Sequence, residues 1–379
     1  AVRSAIGKGK RGSLAQTRPD DLMAQVINGA IARVPGLDVS TIEDVIIGCA
    51  TPEAEQGLNV ARNAALMAGL PDSVPAMTIN RFCSSGIQTI ANAAERIRAG
   101  WADVIVAGGV ESMSMLPMGG HHILPNLELV EARPEAYVGM GLTAEIVAER
   151  YAVSRVDQDT FALGSHDKAL AAQAAGRFVD EIVSVMATSY RDGAVVKSAF
   201  ATDEGPRAGS SVADLGKLST PFKMGGSVTA ATSSQVSDGA AAAVVMSRSK
   251  AEELGLPILG VLRMYSVVGV PPEIMGIGPA KAIPLALSKA GLSIDDIDVF
   301  EVNEAFASQA LYCQRELGIP ADKLNPNGGA IALGHPLGST GARMTATLLH
   351  EMARRGSRFG VVSMCIGGGM GAAAIFERE

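Results

Sequence analysis

Aromatic residues, basic charge and long apolar runs are all scarce in this sequence. Aromatic residues make up 4% of the 379 residues, and the formal net charge is −7. A negative balance argues against a general partnership with nucleic acid or an anionic membrane surface. No apolar run approaches the ~18 residues that a membrane-spanning helix needs, and no signal peptide is visible. We therefore expect no membrane span and no nucleic-acid partner.

Cysteine and histidine are also sparse, with four and five copies. No CxxC, HExxH or similar spacing brings metal ligands together, so the sequence predicts no metal site. Widely spread cysteines in a chain of this length indicate free thiols and a reducing compartment. The adjacent histidines at 121–122 lie among Gly and Pro, which is typical of a surface loop. The cysteines are Cys49, Cys83, Cys313 and Cys365.

Small and aliphatic residues are abundant, and their order along the chain indicates an α/β fold. The chain is longer than one hydrophobic core usually allows, so two or more lobes are expected. Short apolar runs alternate with longer helical patterns, as in proteins with buried strands between helices. Strands are predicted at 44–48, 77–80, 104–108, 240–246, 298–302, 359–364 and 372–376, and helices at 84–99, 158–175, 280–290 and 341–354.

Two segments resemble each other and indicate an internal duplication. Residues 40–48 (STIEDVIIG) resemble residues 293–301 (SIDDIDVFE), and each precedes an Asn-containing turn and a Gly/Ser-rich helix start. Chance similarity between α/β segments is the alternative. Between the repeats, a long insertion has the character of a binding loop or lid. We predict an N-terminal half at 1–112 plus 231–250, a loop domain at 113–230 and a C-terminal half at 251–379.

The stretch NRFCSSGIQT places Cys83 among turn-forming residues, just before a predicted helix. A thiol at the positive end of a helix dipole is expected to be exposed and to have a lowered pKa. Asn80, Ser84 and Ser85 would supply capping groups. The alternative is an inert buried thiol. The first interpretation makes Cys83 a candidate nucleophile.

Three further segments carry candidate chemistry. His335 lies in a Gly/Pro-rich loop ahead of a helix, where it is suited to take a proton from a thiol, or is simply a surface histidine. Cys365 ends a predicted strand before a run of glycines, whose free N–H groups can form an oxyanion hole or a tight hairpin. Asn303 and Glu304 follow another strand, at the edge where α/β sheets hold ligands, although Glu304 can equally be an acid of a helix's first turn.

Together these segments resemble the thiolase family. The motifs NRFCSSG, VAGGVESM, VNEAFA, NGGAIALGHPLGSTGAR and CIGGGMG occur in that family's order, and the resemblance runs from Val2 to Phe376. It implies an α/β fold in which duplicated α/β/α core halves pack in layers, with the inserted loop domain binding coenzyme A. NRFCSSG and SSQVSDGA look more like the degradative 3-ketoacyl-CoA thiolases than the biosynthetic acetoacetyl-CoA enzymes.

The resemblance also implies a role for each catalytic residue. Cys83 matches the nucleophile that becomes acylated, and His335 matches its base. Cys365 matches the second thiol, which moves the proton at the α-carbon. Asn303 matches the residue that stabilises the enolate oxygen through a water shared with His335. The N–H groups of Cys83 and Gly367 match the oxyanion hole for the thioester oxygen.

The same resemblance implies the ligands and the setting. Arg207 and Ser234 fall where family members contact coenzyme A, and Met275 falls where they line the acyl pocket. Coenzyme A is a substrate, and no metal or redox cofactor is implied. Family members are usually dimers or tetramers, so we expect a homodimer or homotetramer. We expect a cytoplasmic location for a bacterial-type protein, and a peroxisomal or mitochondrial one if the source is eukaryotic.

The sequence departs from the family pattern at a few points. The family's first core strand would lie before Ala1, so we expect it to be missing. Phe82 stands where many degradative members have a polar residue, and Thr232 stands where asparagine is frequent. Phe82 leaves the preferred acyl chain length open.

Three functions therefore remain. The first is thiolytic cleavage of 3-ketoacyl-CoA in fatty-acid β-oxidation through a Cys83 acyl-enzyme. The second is an acetoacetyl-CoA thiolase that condenses two acetyl-CoA molecules. The third, of another class, is a non-catalytic thiolase-like protein that binds acyl-CoA or lipid, which would be expected to lack one of the three catalytic groups.

Overall fold

The computed structural model describes residues 1–379, which form two β-sheets, a separate hairpin and twelve α-helices. The strands are β1 (Val2–Ser4), β2 (Gly7–Lys8), β3 (Asp44–Gly48), β4 (Ala76–Ile79), β5 (Val104–Ser112), β6 (Ile182–Val183), β7 (Val185–Arg191), β8 (Ala194–Phe200), β9 (Ser237–Met246), β10 (Val261–Gly269), β11 (Val299–Val302), β12 (Phe359–Ile366) and β13 (Met370–Glu377). The helices are α1 (Pro19–Ile31), α2 (Val60–Met67), α3 (Ser85–Arg98), α4 (Leu127–Ala132), α5 (Met140–Arg150), α6 (Arg155–Ala174), α7 (Val212–Leu215), α8 (Arg248–Glu253), α9 (Gly278–Ala290), α10 (Ala307–Leu317), α11 (Ala330–Leu333) and α12 (Leu337–Arg355).

The two sheets repeat one pattern of strand order and direction. In the larger sheet the order is β4-β3-β5-β9-β1-β6, with β2 also paired to β9. In the smaller sheet the order is β10-β13-β12-β11. Each has a parallel pair (β3 with β5, β11 with β12) beside an antiparallel pair (β5 with β9, β12 with β13). The predicted duplication is therefore confirmed, because the similar sequence segments lead into β3 and β11.

The sheets and helices alternate in layers. Helices α1 and α2 cover one face of the larger sheet, α3 and α12 lie between the two sheets, and α9 covers the outer face of the smaller sheet. Strands β3, β5, β11 and β12 are buried along their whole length. Strands covered on both faces are mostly apolar, which is why they were visible in the sequence as short apolar runs.

The two central helices touch through glycines near their first turns. A Cβ atom on Gly86 of α3 would lie 2.7 Å from the Ala342 nitrogen, and one on Gly341 of α12 would lie 2.3 Å from the Ile87 nitrogen. Real Cβ atoms do not approach backbone so closely, so both positions require glycine. The contact brings the starts of α3 and α12 together, and these starts follow Cys83 and His335 in the chain.

The predicted inserted segment contributes to several parts of the molecule. It contains helix α5, helix α6 at the position predicted for 158–175, and the separate hairpin β7–β8. It also supplies β6, which pairs in parallel with β1 at the edge of the larger sheet. The boundaries at 112, 230 and 250 stay a prediction.

The first strand of the structure, β1, was not predicted from the sequence, and the strand expected before Ala1 stays a prediction. Strand β1 is fully buried and lies between β9 and β6. It was not recognised because it is only three residues long and contains Arg3, whose buried guanidinium pairs with Glu181 and Asp203. Among the helices, none has the length and hydropathy needed to cross a membrane.

Candidate active site

A strained turn between β4 and α3 presents Cys83. Phe82, just before the cysteine, has a φ of 41°, an uncommon conformation for a residue with a large side chain. The Phe82 N–H donates to Asn80 Oδ1 at 2.8 Å, and the Ser85 hydroxyl donates to the Phe82 carbonyl at 2.7 Å. These side chains were expected to cap the helix, but they hold the turn instead. Strain of this kind is characteristic of functional sites, where the surrounding structure imposes it.

The environment of Cys83 differs from the expected one. The residue is buried, with 8% exposure, and burial raises the pKa of its thiol to about 11. The backbone N–H groups of Gly367 and of Cys83 itself lower that pKa, while the negative charge of Glu111 raises it further. The prediction of an exposed thiol with a lowered pKa was therefore wrong, because desolvation outweighs the hydrogen bonds to the thiolate.

His335 is buried and held as a neutral imidazole. Burial lowers its pKa to about 3, and the nearby Arg343 charge acts in the same direction. Its Nδ1 lies 2.6 Å from Thr340 Oγ1, and the Thr340 hydroxyl donates its only proton to the Pro336 carbonyl at 2.9 Å. Thr340 therefore accepts from Nδ1–H, which leaves the lone pair on Nε2. The alternative of a surface histidine is excluded.

Asn303 lies beside that lone pair. Its Nδ2 donates to His335 Nε2 at 3.3 Å, while its buried Oδ1 has no protein partner. The loop after β11 is fixed by Asn325, whose amide bonds both backbone groups of Val302, and by Glu304. Glu304 is buried, and it accepts hydrogen bonds from Ser165, Asn325 and the Ile331 N–H. Glu304 therefore holds the loop that carries Asn303 in place, and its carboxylate does not face a ligand.

Cys365 lies near the end of β12, before the glycine turn of the β12–β13 hairpin. Gly368 and Gly369 have φ values of 81° and 87°, so the expected tight turn is present. Cys365 is fully buried, and desolvation raises the pKa of its thiol well above the ordinary value. The charge of a Cys83 thiolate raises it further. The N–H of Gly367, two residues after Cys365, is directed at the Cys83 sulfur, so the end of β12 lies beside Cys83.

The structure brings most of the predicted catalytic residues close together, but hydrogen bonds do not connect all of them. Cys83 packs with Ala50, Met113 and Leu337, the last only two residues after His335. No hydrogen bond links the Cys83 sulfur to the His335 ring. The neutral imidazole and the protonated thiol are both resting forms. All four cysteines are free, as expected.

The residues expected to contact coenzyme A or to line the acyl pocket occupy different surroundings. Met275 is buried in the same apolar cluster as Cys365, together with Ala144 and Phe306. Ser234 is half-buried and donates its backbone N–H to the Ala305 carbonyl at 2.9 Å. The Arg207 side chain is exposed, and its backbone N–H donates to His166 Nδ1 at 3.2 Å. His166, which had no role from sequence, therefore fixes the loop that carries Arg207.

A cavity of about 490 Å³ lies elsewhere, between α5, the start of α6 and the Lys223–Ser227 loop. None of the predicted catalytic residues lines it. We give it no part in the chemistry, because its polar walls hold no thiol or histidine. No group of three His, Cys, Asp or Glu side chains could hold a metal ion.

Sequence reasoning missed two residues of the site, Thr340 and Glu111. Thr340 lies five positions after His335, at the start of a helix, where a hydroxyl can reach back to a preceding loop. Glu111 lies at the end of an apolar strand and is 1% exposed. A charged residue inside a continuous apolar run was the available signal, since unpaired charges are rarely buried.

Two family descriptions match this chain over almost its whole length. The thiolase N-terminal domain matches residues 1–249, and the thiolase C-terminal domain matches residues 256–378. The boundary between the two matches falls just after β9, the last strand of the larger sheet.

Individual relatives are similar over the same extent. The chain is 56% identical to a 3-ketoacyl-CoA thiolase of Bacillus subtilis, over 99% of this chain and 97% of the relative. It is 52% identical to the human peroxisomal 3-ketoacyl-CoA thiolase, over 99% of this chain and 89% of the relative. Among solved structures, the dimeric peroxisomal thiolase of Saccharomyces cerevisiae matches with a TM-score of 0.90 and 44% identity, covering 100% of this chain and 96% of that one. The acetyl-CoA acetyltransferase of Bacillus anthracis matches with a TM-score of 0.89 and 42% identity, covering 99% and 96%.

Proposed function

The chain belongs to the thiolase family of acyltransferases, and from this premise we propose that it cleaves 3-ketoacyl-CoA with coenzyme A. The products are acetyl-CoA and an acyl-CoA shortened by two carbons, as in fatty-acid β-oxidation. The names of the relatives at 50–56% identity support this direction of the reaction.

Cys83 acts as the nucleophile and His335 as its base. The pKa of Cys83, raised to about 11, and that of His335, lowered to about 3, keep both groups neutral at rest. The proton therefore moves to His335 Nε2 only as the sulfur attacks the 3-keto carbon, when negative charge shifts from sulfur to the ketone oxygen. Thr340 keeps Nε2 unprotonated for this step by accepting from Nδ1–H, and Asn303 must give up its hydrogen bond to Nε2 as the proton arrives.

Two sets of donors stabilise the oxygens of the substrate. The N–H groups of Cys83 and Gly367 are directed at the Cys83 sulfur, so they suit an oxygen on a carbon bonded to that sulfur. Asn303 and His335 form the other set, for the enolate oxygen of acetyl-CoA. The unpartnered Asn303 Oδ1 can hold a water there by accepting its hydrogen bond.

Cys365 supplies and recovers the proton at the α-carbon. When the C2–C3 bond breaks, the acyl group stays on Cys83 and the acetyl-CoA carbanion takes the Cys365 proton. Coenzyme A then gives its thiol proton to the Cys365 thiolate and attacks the acyl group. This attack releases the shortened acyl-CoA and the Cys83 thiolate, which regains its proton from His335.

The binding residues and the assembly complete the proposal. Arg207 and Ser234 contact coenzyme A, and Met275 lines the acyl pocket beside Cys365. The yeast structure described as dimeric supports a homodimer, and a tetramer is the alternative. Bacterial and peroxisomal relatives support a cytoplasmic or a peroxisomal location, according to the source.

One observation carries the proposal: two N–H groups are directed at the buried Cys83 sulfur, its own and that of Gly367, which lies two residues after the buried Cys365. The test is to incubate the protein with coenzyme A and a long-chain 3-ketoacyl-CoA, and to follow both products by mass. Cys83→Ser should remove turnover and the acyl adduct on the protein. An adduct that persists in Cys83→Ala would place the nucleophile elsewhere.

Condensation of two acetyl-CoA molecules is the second candidate. The similarity to the acetyl-CoA acetyltransferase of Bacillus anthracis favours it. The same residues can run both directions, so rates decide between them. A ratio of kcat/KM for long-chain 3-ketoacyl-CoA over acetoacetyl-CoA well above one supports the degradative function, and a ratio well below one supports the biosynthetic function.

A further inference from the structure

Glu111, at the end of β5, is a buried carboxylate that only donors surround. Its Oε2 accepts from the Ala50 and Gly338 N–H groups, both at 2.8 Å. Its Oε1 accepts from Gln56 Nε2 at 2.6 Å and from the Thr51 N–H at 3.2 Å. The Cys49 thiol lies on the same oxygen at 3.8 Å. Since Ala50 belongs to the N-terminal repeat and Gly338 to the C-terminal one, this carboxylate joins the two halves.

The Gly338 side of this connection leads to the base. Gly338 is the second residue of α12 and lies three positions after His335 and two before Thr340, which accepts from His335 Nδ1. A Cβ atom on Gly338 would lie 2.7 Å from Cys49 Cα and 2.8 Å from Glu111 Oε2. Glycine is therefore needed for the helix start to approach the carboxylate, and Glu111 fixes where the His335 loop begins its helix.

The Ala50 side leads to the nucleophile. The Ala50 carbonyl accepts from Asn80 Nδ2 at 3.0 Å, and Asn80 Oδ1 accepts from the Phe82 N–H at 2.8 Å. Phe82 is the residue with positive φ that immediately precedes Cys83. An unbroken chain of hydrogen bonds thus runs from Gly338 through Glu111, Ala50 and Asn80 to Phe82.

We propose that Glu111 is a positioning residue, which sets the distance between the His335 base and the Cys83 nucleophile through this chain of hydrogen bonds. The inference rests on the proposed function, since it assigns Glu111 a part in the same proton transfer. Glu111 itself touches no substrate.

The position requires a carboxylate and not merely a polar side chain of the same shape. Both oxygens face N–H donors, so a glutamine would turn its own NH₂ group toward one of them. Gln56 offers a specific compensation, because its Nε2 donates to Glu111 Oε1 while its Oε1 accepts from the Ser112 N–H. Exchanging the two residues would let an amide at 111 donate to a carboxylate at 56 and still accept from Ala50 and Gly338. The Thr51 N–H would lose its acceptor, and the Thr51 carbonyl would lose the donor that Gln56 Nε2 provides at 2.8 Å, so the compensation is partial.

The test compares Glu111→Gln with the exchanged double variant Glu111→Gln, Gln56→Glu. A shift of about 1 Å between reacting groups can cost ~10²-fold in rate. We expect Glu111→Gln to lose about that factor in kcat, with the KM for coenzyme A unchanged, and the exchange to restore part of it. Full kcat in Glu111→Gln would overturn the proposal. A double variant that regains stability but not kcat would also overturn it.

Two further variants separate positioning from folding. Glu181→Gln alters another fully buried carboxylate, which pairs with Arg3 and Thr347 away from the site, and it should lower stability without changing kcat. Asn80→Ala removes an exposed side chain and breaks the same chain of hydrogen bonds at the bond between Asn80 and the Ala50 carbonyl. It should therefore lower kcat. This variant tests the proposal even if Glu111→Gln does not fold. Full kcat in Asn80→Ala would overturn the inference. A wild-type protein inactive toward every 3-ketoacyl-CoA would instead overturn the proposed function.

Discussion

Thr340 Oγ1 lies 2.6 Å from His335 Nδ1, and this contact fixes which nitrogen of the ring carries the proton. Thr340→Val keeps the volume but removes the acceptor, so the ring loses its preference for the Nδ1–H form. A neutral hydrogen bond contributes about 0.5–1.5 kcal/mol net, which corresponds to a loss of the competent form by roughly 2-fold to 13-fold. We expect kcat to fall by about that factor at unchanged KM. Thr340→Ser retains the hydroxyl and should retain kcat; equal losses in the two variants would contradict the tautomer assignment.

The raised pKa of Cys83 predicts how its thiol reacts with iodoacetamide. Cys83 is 8% exposed while the other three cysteines are 0% exposed, so the label should go to Cys83 alone. Because its pKa is about 11, the thiolate fraction, and with it the alkylation rate, should rise about tenfold per pH unit from pH 7 to 9.5. Labelled peptides and intact mass measure this rate. A plateau below pH 8 would show that the thiol is already ionised there.

The lowered pKa of His335 predicts a loss of stability in acid. In the unfolded chain the ring binds a proton below about pH 6.5, whereas the folded form does so only near pH 3. The unfolded state therefore holds more protons between these values, and the free energy of unfolding falls as pH decreases through this window. Urea unfolding at pH 7, 5.5 and 4.5 measures the effect.

His335→Gln provides the matched comparison for that measurement. It lacks the titrating ring but keeps the other acid-sensitive groups, including half-buried His350 and the buried glutamates. We expect the wild type to lose more stability than the variant, by up to ~1.4 kcal/mol for each pH unit within the window. Parallel curves for the two proteins would mean that the ring titrates equally in the folded and unfolded states.

Several elements could be predicted from the sequence because their signal is local. Strand β3 has the bounds that its apolar run predicts, and α12 extends the predicted helix by only a few residues at each end. Strand β10 and helix α1 were missed. β10 is partly exposed at the edge of its sheet and mixes Arg263 with apolar residues, so it has no continuous run.

The surroundings of the site residues could not be predicted in the same way. The turn before α3 suggested an exposed thiol, but Leu337 and Gly367 from the other half cover Cys83. Cys83 and Leu337 are in contact although they lie more than 250 positions apart in the sequence. Burial of this kind therefore depends on contacts between distant segments. Motifs identified the chemical groups, whereas their pKa values depend on how the halves pack.

Arg207 is predicted to bind the phosphate or adenine end of coenzyme A, because its exposed side chain lies on a loop that His166 holds. Hydrogen bonds to charged groups contribute about 1.5–3 kcal/mol, so Arg207→Ala should raise the KM for coenzyme A at least about 10-fold, with a smaller change in kcat. Arg191→Ala removes an equally exposed arginine from the β7–β8 hairpin and should leave KM unchanged. Equal KM values for the two variants at low salt would argue against the assignment.

Cys365→Ala should separate the two half-reactions, because the two thiols have different tasks. The variant keeps Cys83, His335 and the N–H groups of Cys83 and Gly367, so it should still take an acetyl group from acetyl-CoA. It should fail at carbon–carbon cleavage, since the acetyl-CoA carbanion would leave without a proton donor. Loss of a general acid or base costs ~10²–10⁴-fold, and a poor leaving group such as the enolate increases that cost.

Two measurements on Cys365→Ala test this division, namely exchange of the acetyl-CoA methyl protons with solvent and acetylation of Cys83 by mass. We expect exchange to be lost and acetylation to remain. Normal exchange would mean that another base acts at the α-carbon, with His335 the first to examine because its Nε2 carries a lone pair beside Asn303. Loss of acetylation as severe as in Cys83→Ala would make Cys365 an activator of the nucleophile. Cys83, whose charge raises the pKa of Cys365 when it ionises, would then act with Cys365 as one coupled pair.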